Sequence, residues 1–126
     1  MANQNKAHTE LVNKILLECS HGDTRLFKNQ VGVLQDKNGQ FVRYGVCNPG
    51  GSDTIGWTKT LITPEMVGQF IAVFTAVEVK TGSATASDDQ ERFIAAIVES
   101  GGKAGVARSV EDAREITTSR AVPSKP

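Results

Sequence analysis

Between Phe70 and Val79 the chain is almost wholly apolar, aromatic and β-branched, and Glu78 and Lys80 stand at the C-terminal end of that run. A stretch of this kind suits a central strand covered on both faces, which asks for helices on either side of a sheet. Thr75 interrupts the run, and its length is far below what a bilayer crossing needs, so no membrane partner is expected. Whatever else the chain does, it must bring other elements over this segment.

The neighbouring pattern supplies them. Ala7, Leu11, Ile15 and Cys19 recur every four residues, with Val12 and Leu16 beside them. That stripe predicts an amphipathic helix from Asn5 to Ser20, stopped at His21-Gly22-Asp23. Asn29–Leu34 and Phe41–Val46 are β-prone, and Asp36-Lys37-Asn38-Gly39 between them carries hairpin chemistry. Asn48-Pro49-Gly50-Gly51-Ser52 breaks the second strand, on which Cys47 reads as a packed core thiol. A short strand over Asp53–Thr58 and a turn or single helical turn at Thr63-Pro64-Glu65-Met66 come next.

Beyond the apolar run, Thr81–Ala86 is small and polar, hence a loop. Ser87 or Asp88 is the expected N-cap of a helix through Glu99 with Phe93, Ile94, Ile97 and Val98 on its apolar face. Gly101-Gly102 ends that helix. Ala104–Ala107 reads as a short buried strand, and Ser109 as the cap of a last helix from Val110 to Ile116. Phe70, Phe74 and Phe93 are expected in the core. The order predicts an α/β fold, a mixed β-sheet flanked by helices, as one domain over residues 1–118 with a disordered tail over 119–126.

Composition narrows the function. The 126 residues hold 14 Lys+Arg against 14 Asp+Glu, which excludes a basic arm gripping nucleic acid by charge alone and equally an acidic solvating tail. A hydrophobic share of 39% with 22% charged residues excludes a wholly disordered chain. One domain of this size buries a core without disulfides or structural metal. Cys19 and Cys47 sit in no pairing or metal-binding pattern and no secretory signal is seen, so both read as reduced thiols of a cytoplasmic protein. His8 and His21 are not spaced as a zinc pair, and Gly101-Gly102-Lys103 lacks the rest of a phosphate-binding loop.

The residues that carry chemistry cluster around the apolar run. Glu78 and Lys80 lie two apart, so on an extended chain both point to one side. They are either a rim ion pair where the strand surfaces or a working acid and base. Asp53 follows a Gly-rich loop, with 24 residues between it and Glu78. It is either an Asx-turn residue or, if its strand lies beside the Glu78 strand, a second carboxylate for a shared divalent cation.

In order along the chain, Gly51-Ser52-Asp53 with Ile55-Gly56-Trp57, Val77-Glu78-Val79-Lys80-Thr81, Gln90 with Phe93-Ile94, and Gly101-Gly102 leading into Val106-Ala107-Arg108 resemble the VRR-NUC domain of the PD-(D/E)XK nuclease superfamily. The resemblance runs from about the first helix to the last, and is greatest to the compact single-domain members of phages and prophages. It implies a restriction-endonuclease-like mixed sheet. Asp53 and Glu78 would be metal ligands, with the backbone carbonyl of Val79 as a further oxygen and Glu10 of the first helix at the acidic position near the metal, although Glu10 reads also as a solvated helix residue or a partner of Lys14 or Lys6. Lys80 would be the catalytic lysine. Gln90 would orient Lys80, a water on the metal or a phosphate. Arg108, Ser52 and Lys28 would touch DNA, although Arg108 reads equally as a rim cation and Lys28 as solvated surface. One departure stands out: the family's Val-Arg-Arg signature is Val106-Ala107-Arg108 here, without its middle arginine.

The implied activity is an endonuclease that hydrolyses DNA with Mg²⁺ or Mn²⁺, selective for branched DNA such as a four-way junction, working as a homodimer in the cytoplasm of a bacterial host. With zero net charge a monomer would hold duplex weakly, and a dimer doubles the phosphate contacts. The alternative is a non-catalytic or partner-dependent DNA-binding accessory module that keeps the nuclease fold.

Overall fold

The structure, a computed structural model, describes residues 2–118, so the tail expected over 119–126 lies outside the described residues. The chain is mixed α/β and divides into two units, Met1–Thr60 and Leu61–Pro126. Among the described residues the strands pair as three two-stranded ladders.

In the first unit α1 (Ala2–Cys19) packs on β1 (Thr24–Lys28), which pairs antiparallel with β4 (Thr54–Thr58). The expected stripe on α1 is narrower than its sequence implies. Val12 is buried and Leu16 half-buried, whereas Leu11, Ile15 and Cys19 are exposed. One short strand offers contact to one helical turn or two, not to a full five-turn face. β1 itself is not announced by the pattern, because Arg25 and Lys28 read as surface cations. Phe27 and Trp57 explain its pairing: diagonal neighbours across the ladder, their ring centroids lie 5.6 Å apart. Opposite Leu26 stands Gly56, where a Cβ would fall 1.8 Å from the Arg25 carbonyl oxygen, so only glycine lets the strands close.

The hairpin of β2 (Gly32–Gln35) and β3 (Phe41–Tyr44) forms as expected. Asp36 drives its turn: Oδ1 accepts the N–H groups of Asn38 and Gln40 at 2.8 and 2.9 Å, and Gly39 takes φ 80°. Cys47 is a correction. It is exposed and sits beyond β3 with φ 60°, because Gly45 at φ 95° has already turned the chain out of the strand. The turn that follows hangs on Asn29, the one buried polar side chain among the described residues. Its Nδ2 donates to the carbonyls of Val46 and Ser52 at 3.1 and 2.9 Å, and its Oδ1 accepts Val46 N–H at 2.9 Å.

In the second unit a 3₁₀ turn over Pro64–Met66 occupies the expected helical turn. Glu65 there accepts from its own backbone N–H and from the Thr63 hydroxyl, which holds its carboxyl below the ordinary value. β5 (Thr75–Val79) then pairs in parallel with β6 (Lys103–Ala107) through the crossover helix α2 (Asp88–Glu99), and α3 (Val110–Thr117) packs on β6. Ile97 of α2 and Ala107 are 1% and 2% exposed and form the tightest part of this core. α2 ends in a Schellman motif, Gly102 N–H to Ile97 O at 2.8 Å and Gly101 N–H to Val98 O at 3.0 Å, with Gly101 at φ 97°.

The long apolar strand is also corrected. Only Thr75–Val79 is strand, while Phe70, Ile71 and Val73 are exposed and Phe74 half-buried. The parallel ladder starts where Lys103 N–H reaches Phe74 O at 2.9 Å. Before Lys103 stands the Gly101-Gly102 turn, so β6 has no residue to offer Phe70–Val73. Val79 is exposed as well, and Phe93 on α2 is 40% exposed rather than core. Among the described residues no helix is long and apolar enough to cross a membrane.

Asn29→Ala removes three side-chain hydrogen bonds and strands the Val46 N–H. It should cost about 2–3 kcal/mol in urea denaturation, with the circular dichroism of the folded state retained.

Candidate functional site

The second unit builds its site at the carboxyl end of the parallel pair. Alternation along β5 puts Glu78 and Lys80 on one side, as their spacing predicts, and Lys80 Nζ lies 3.3 Å from Glu78 Oε1. Lys80 is one residue beyond β5 yet remains extended, because its N–H donates to Ala107 O at 3.1 Å. The side chains are 18% and 32% exposed for Lys80 and Glu78, so the pair is partly desolvated and stronger than a surface pair.

Gln90 completes the group. Ser87 and Gln90 form a capping box at the start of α2: Ser87 Oγ accepts Gln90 N–H at 3.1 Å and Gln90 Oε1 accepts Ser87 N–H at 2.9 Å. With Oε1 committed to the cap, the amide nitrogen must face the other way. It donates to Glu78 Oε1 at 2.9 Å. One carboxylate oxygen thus receives both an ammonium and an amide, and Oε2 is left to meet a ligand. Gln90 grips the acid and not Lys80.

The first unit carries Asp53, immediately before β4, with its side chain 65% exposed. The Asp53 carbonyl accepts Asn29 N–H at 2.8 Å, so the chain around it is tied to β1, and its Oδ2 lies 3.2 Å from His8 Nε2. These residues line a cleft of about 220 Å³, together with Val12, Lys28 and Tyr44. Ser52 turns its hydroxyl back to Thr54 O at 2.6 Å. Glu10 is exposed, its carboxylate 3.9 Å from Lys6.

Sequence reasoning passed over His8, which had been weighed only as half of a zinc pair. His8 stands one turn before the buried Val12 on α1, with its own side chain exposed beside Asp53. Arg108, read as a phosphate contact or a rim cation, donates instead to the loop after Lys80, through Nη1 to Gly82 O at 3.1 Å and through Nη2 to Ala84 O.

A family model described as the VRR-NUC domain matches residues 3–111, nearly the whole chain and all of these residues. The chain belongs to the VRR-NUC family. It therefore carries a nuclease-type DNA-processing domain, with DNA as the substrate of its class. No curated protein and no solved structure matches it significantly. PD-(D/E)XK-type domains generally use divalent metals, and the residues of this VRR-NUC chain suit one. Glu78 and Asp53 each offer a hard carboxylate oxygen beyond the one already hydrogen-bonded, the donor type that Mg²⁺ or Mn²⁺ takes with water. No group of three or more His, Cys, Asp or Glu that could hold a metal occurs among the described residues.

Ser87→Ala should lower stability by about 1 kcal/mol in urea denaturation. Gln90→Leu should cost more, about 1–2 kcal/mol, because it breaks the cap and the Glu78 contact together.

Proposed function

We propose that this VRR-NUC chain is a divalent-metal-dependent DNA endonuclease, selective for branched DNA and acting as a homodimer. The observation that carries the reading is the convergence of Lys80 and Gln90 on one oxygen of Glu78. A rim ion pair needs no third partner. A carboxylate that must present one particular oxygen does, because an unrestrained carboxyl group rotates.

In this reading Glu78, Asp53 and the Val79 carbonyl would supply the oxygens that hold the cation. When bound, Mg²⁺ or Mn²⁺ supplies a Lewis acid at the phosphodiester and makes water a stronger nucleophile. The protein's own groups do the rest. Lys80 stands in a partly desolvated place beside Glu78, where it would stabilise negative charge building on the phosphoryl oxygens or the attacking water. Gln90, which does not titrate, holds Glu78 in one rotamer. His8 gives the exposed Asp53 carboxylate one hydrogen-bonding partner at 3.2 Å. Lys28 lies in the same cleft as Asp53 and would meet the DNA backbone, as would Ser52 on releasing Thr54 O. Glu10 would act near the metal only on releasing Lys6.

Branched substrate and dimerisation are what the family resemblance implies, and charge and symmetry accord with both. Zero net charge gives a monomer little non-specific grip, while a two-fold dimer sets two active sites on a symmetric four-way junction. In a bacterial host such an activity would belong in the cytoplasm.

Purified protein should cut DNA only with Mg²⁺ or Mn²⁺, and cut a four-way junction faster than linear duplex, single strand, flap or fork. Asp53→Ala, Glu78→Ala and Lys80→Ala should each lower the rate about 10²–10³-fold or more in a gel cleavage assay. Calorimetry with Mn²⁺ should show one site lost both on Asp53→Ala and on Glu78→Ala; loss on only one of them rules out a shared ion. A strict monomer by light scattering, with and without junction DNA, rules out the dimer.

A further inference from the structure

We propose that Arg108 is a positioning residue for the candidate catalytic group: it holds the loop that joins Lys80 to Gln90 and makes no phosphate contact. The proposal rests on the nuclease reading for the roles of Lys80 and Gln90, and deepens it by explaining what the surviving arginine of the Val106-Ala107-Arg108 segment does.

Thr81–Ala86 connects β5, with Glu78 and Lys80 at its end, to the capping box of α2 that orients Gln90. Left alone, such a loop would let its two ends drift, since its residues are small, polar and mostly exposed. Its only internal backbone restraint among the described residues is a turn, Ala84 N–H to Thr81 O at 3.2 Å, with Gly82 at φ 58°. Arg108 adds the rest. One guanidinium nitrogen donates to Gly82 O and the other to Ala84 O, so the rigid fork grips both sides of the turn. The arginine is itself anchored, because its N–H donates to Asp112 Oδ2 at 2.9 Å and Asp112 N–H donates to Ser109 Oγ at 3.1 Å.

Consecutive residues of β6 and its end therefore act on the loop in sequence. Ala107 O receives Lys80 N–H, and the Arg108 side chain takes the turn two residues later. From there the chain enters the Ser87–Gln90 box, and Gln90 returns to Glu78. The circuit closes on the same carboxylate from which it started. Two of the five guanidinium N–H groups are thus spent on the loop carbonyls, which fixes the plane of the fork over the turn.

Arg108→Met and Arg108→Lys separate the two roles in the full chain. The readouts are amide hydrogen exchange over residues 81–86, DNA affinity against salt by fluorescence anisotropy with a four-way junction and no divalent metal, and steady-state cleavage with Mn²⁺. The methionine variant should exchange about tenfold faster at Gly82–Ala86. Its slope of log affinity against log salt should stay as in the parent chain, and kcat should fall about tenfold with KM unchanged. The lysine variant, which can reach one carbonyl at a time, should lie between. A slope smaller by about one, with loop exchange unchanged, would make Arg108 a phosphate contact and overturn the proposal. Unchanged exchange in both variants overturns it too. If Arg108→Met fails to fold, the lysine variant decides by the same two criteria. Exchange and salt slope need no hydrolysis, so an inactive parent chain would defeat the nuclease reading while these measurements still judge the loop.

Discussion

Everything in the second unit follows from β5 and β6 running parallel. Two parallel strands cannot be joined by a hairpin, so the chain must leave the end of β5, cross over the pair as α2, and re-enter at the start of β6. This crossover brings the N-terminus of α2 back to the carboxyl end of β5. The carboxyl end is where side chains leaving a parallel sheet meet incoming helix termini, and where sites in such arrangements are commonly built. Glu78, Lys80 and Gln90 come together for that reason, although Gln90 is separated from the other two by a loop and a helix cap.

The same ladder makes the site stiff. Its last rung extends past the strand proper, with Lys80 N–H on Ala107 O. That rung decides which way the Lys80 side chain leaves the backbone. Gln90 is fixed from another direction, because half of its amide belongs to the cap of α2. A glutamine doing both jobs couples helix formation to the orientation of an acid. Shortening it to a residue that still caps would lose the acid, and keeping the acid without the cap would let the helix start elsewhere.

The first unit is organised by a different device. A single buried amide, Asn29, ties the turn from Val46 to Ser52 against the end of β1, and its backbone holds the carbonyl of Asp53. Asp53 is thus well placed by its main chain while its side chain remains solvated and free to accept a partner, which His8 supplies. A buried asparagine with its hydrogen bonds satisfied costs little and specifies one conformation for an otherwise Gly-rich segment.

Local chemistry was readable because it acts over a few residues. The Asp36 turn, the Ser87 and Ser109 caps, the Gly101-Gly102 stop and the shared side of Glu78 and Lys80 each depend on neighbours within about one turn of chain. The resemblance carried the family, since it needs only residue types in order. What was not readable depends on partners far along the chain. The strand over Phe70–Phe74 failed because β6 begins only at Lys103; Cys47 left the core because Gly45 turned the strand; β1 appeared because Trp57 and Gly56 stand across from it. Only the folded chain assigned the Gln90 amide nitrogen to Glu78, the His8 ring to Asp53 and the Arg108 fork to Gly82 and Ala84. Hydrogen bonds of that kind have no sequence period, because they form between groups that the backbone brings within reach only after the ladders and helices have been set.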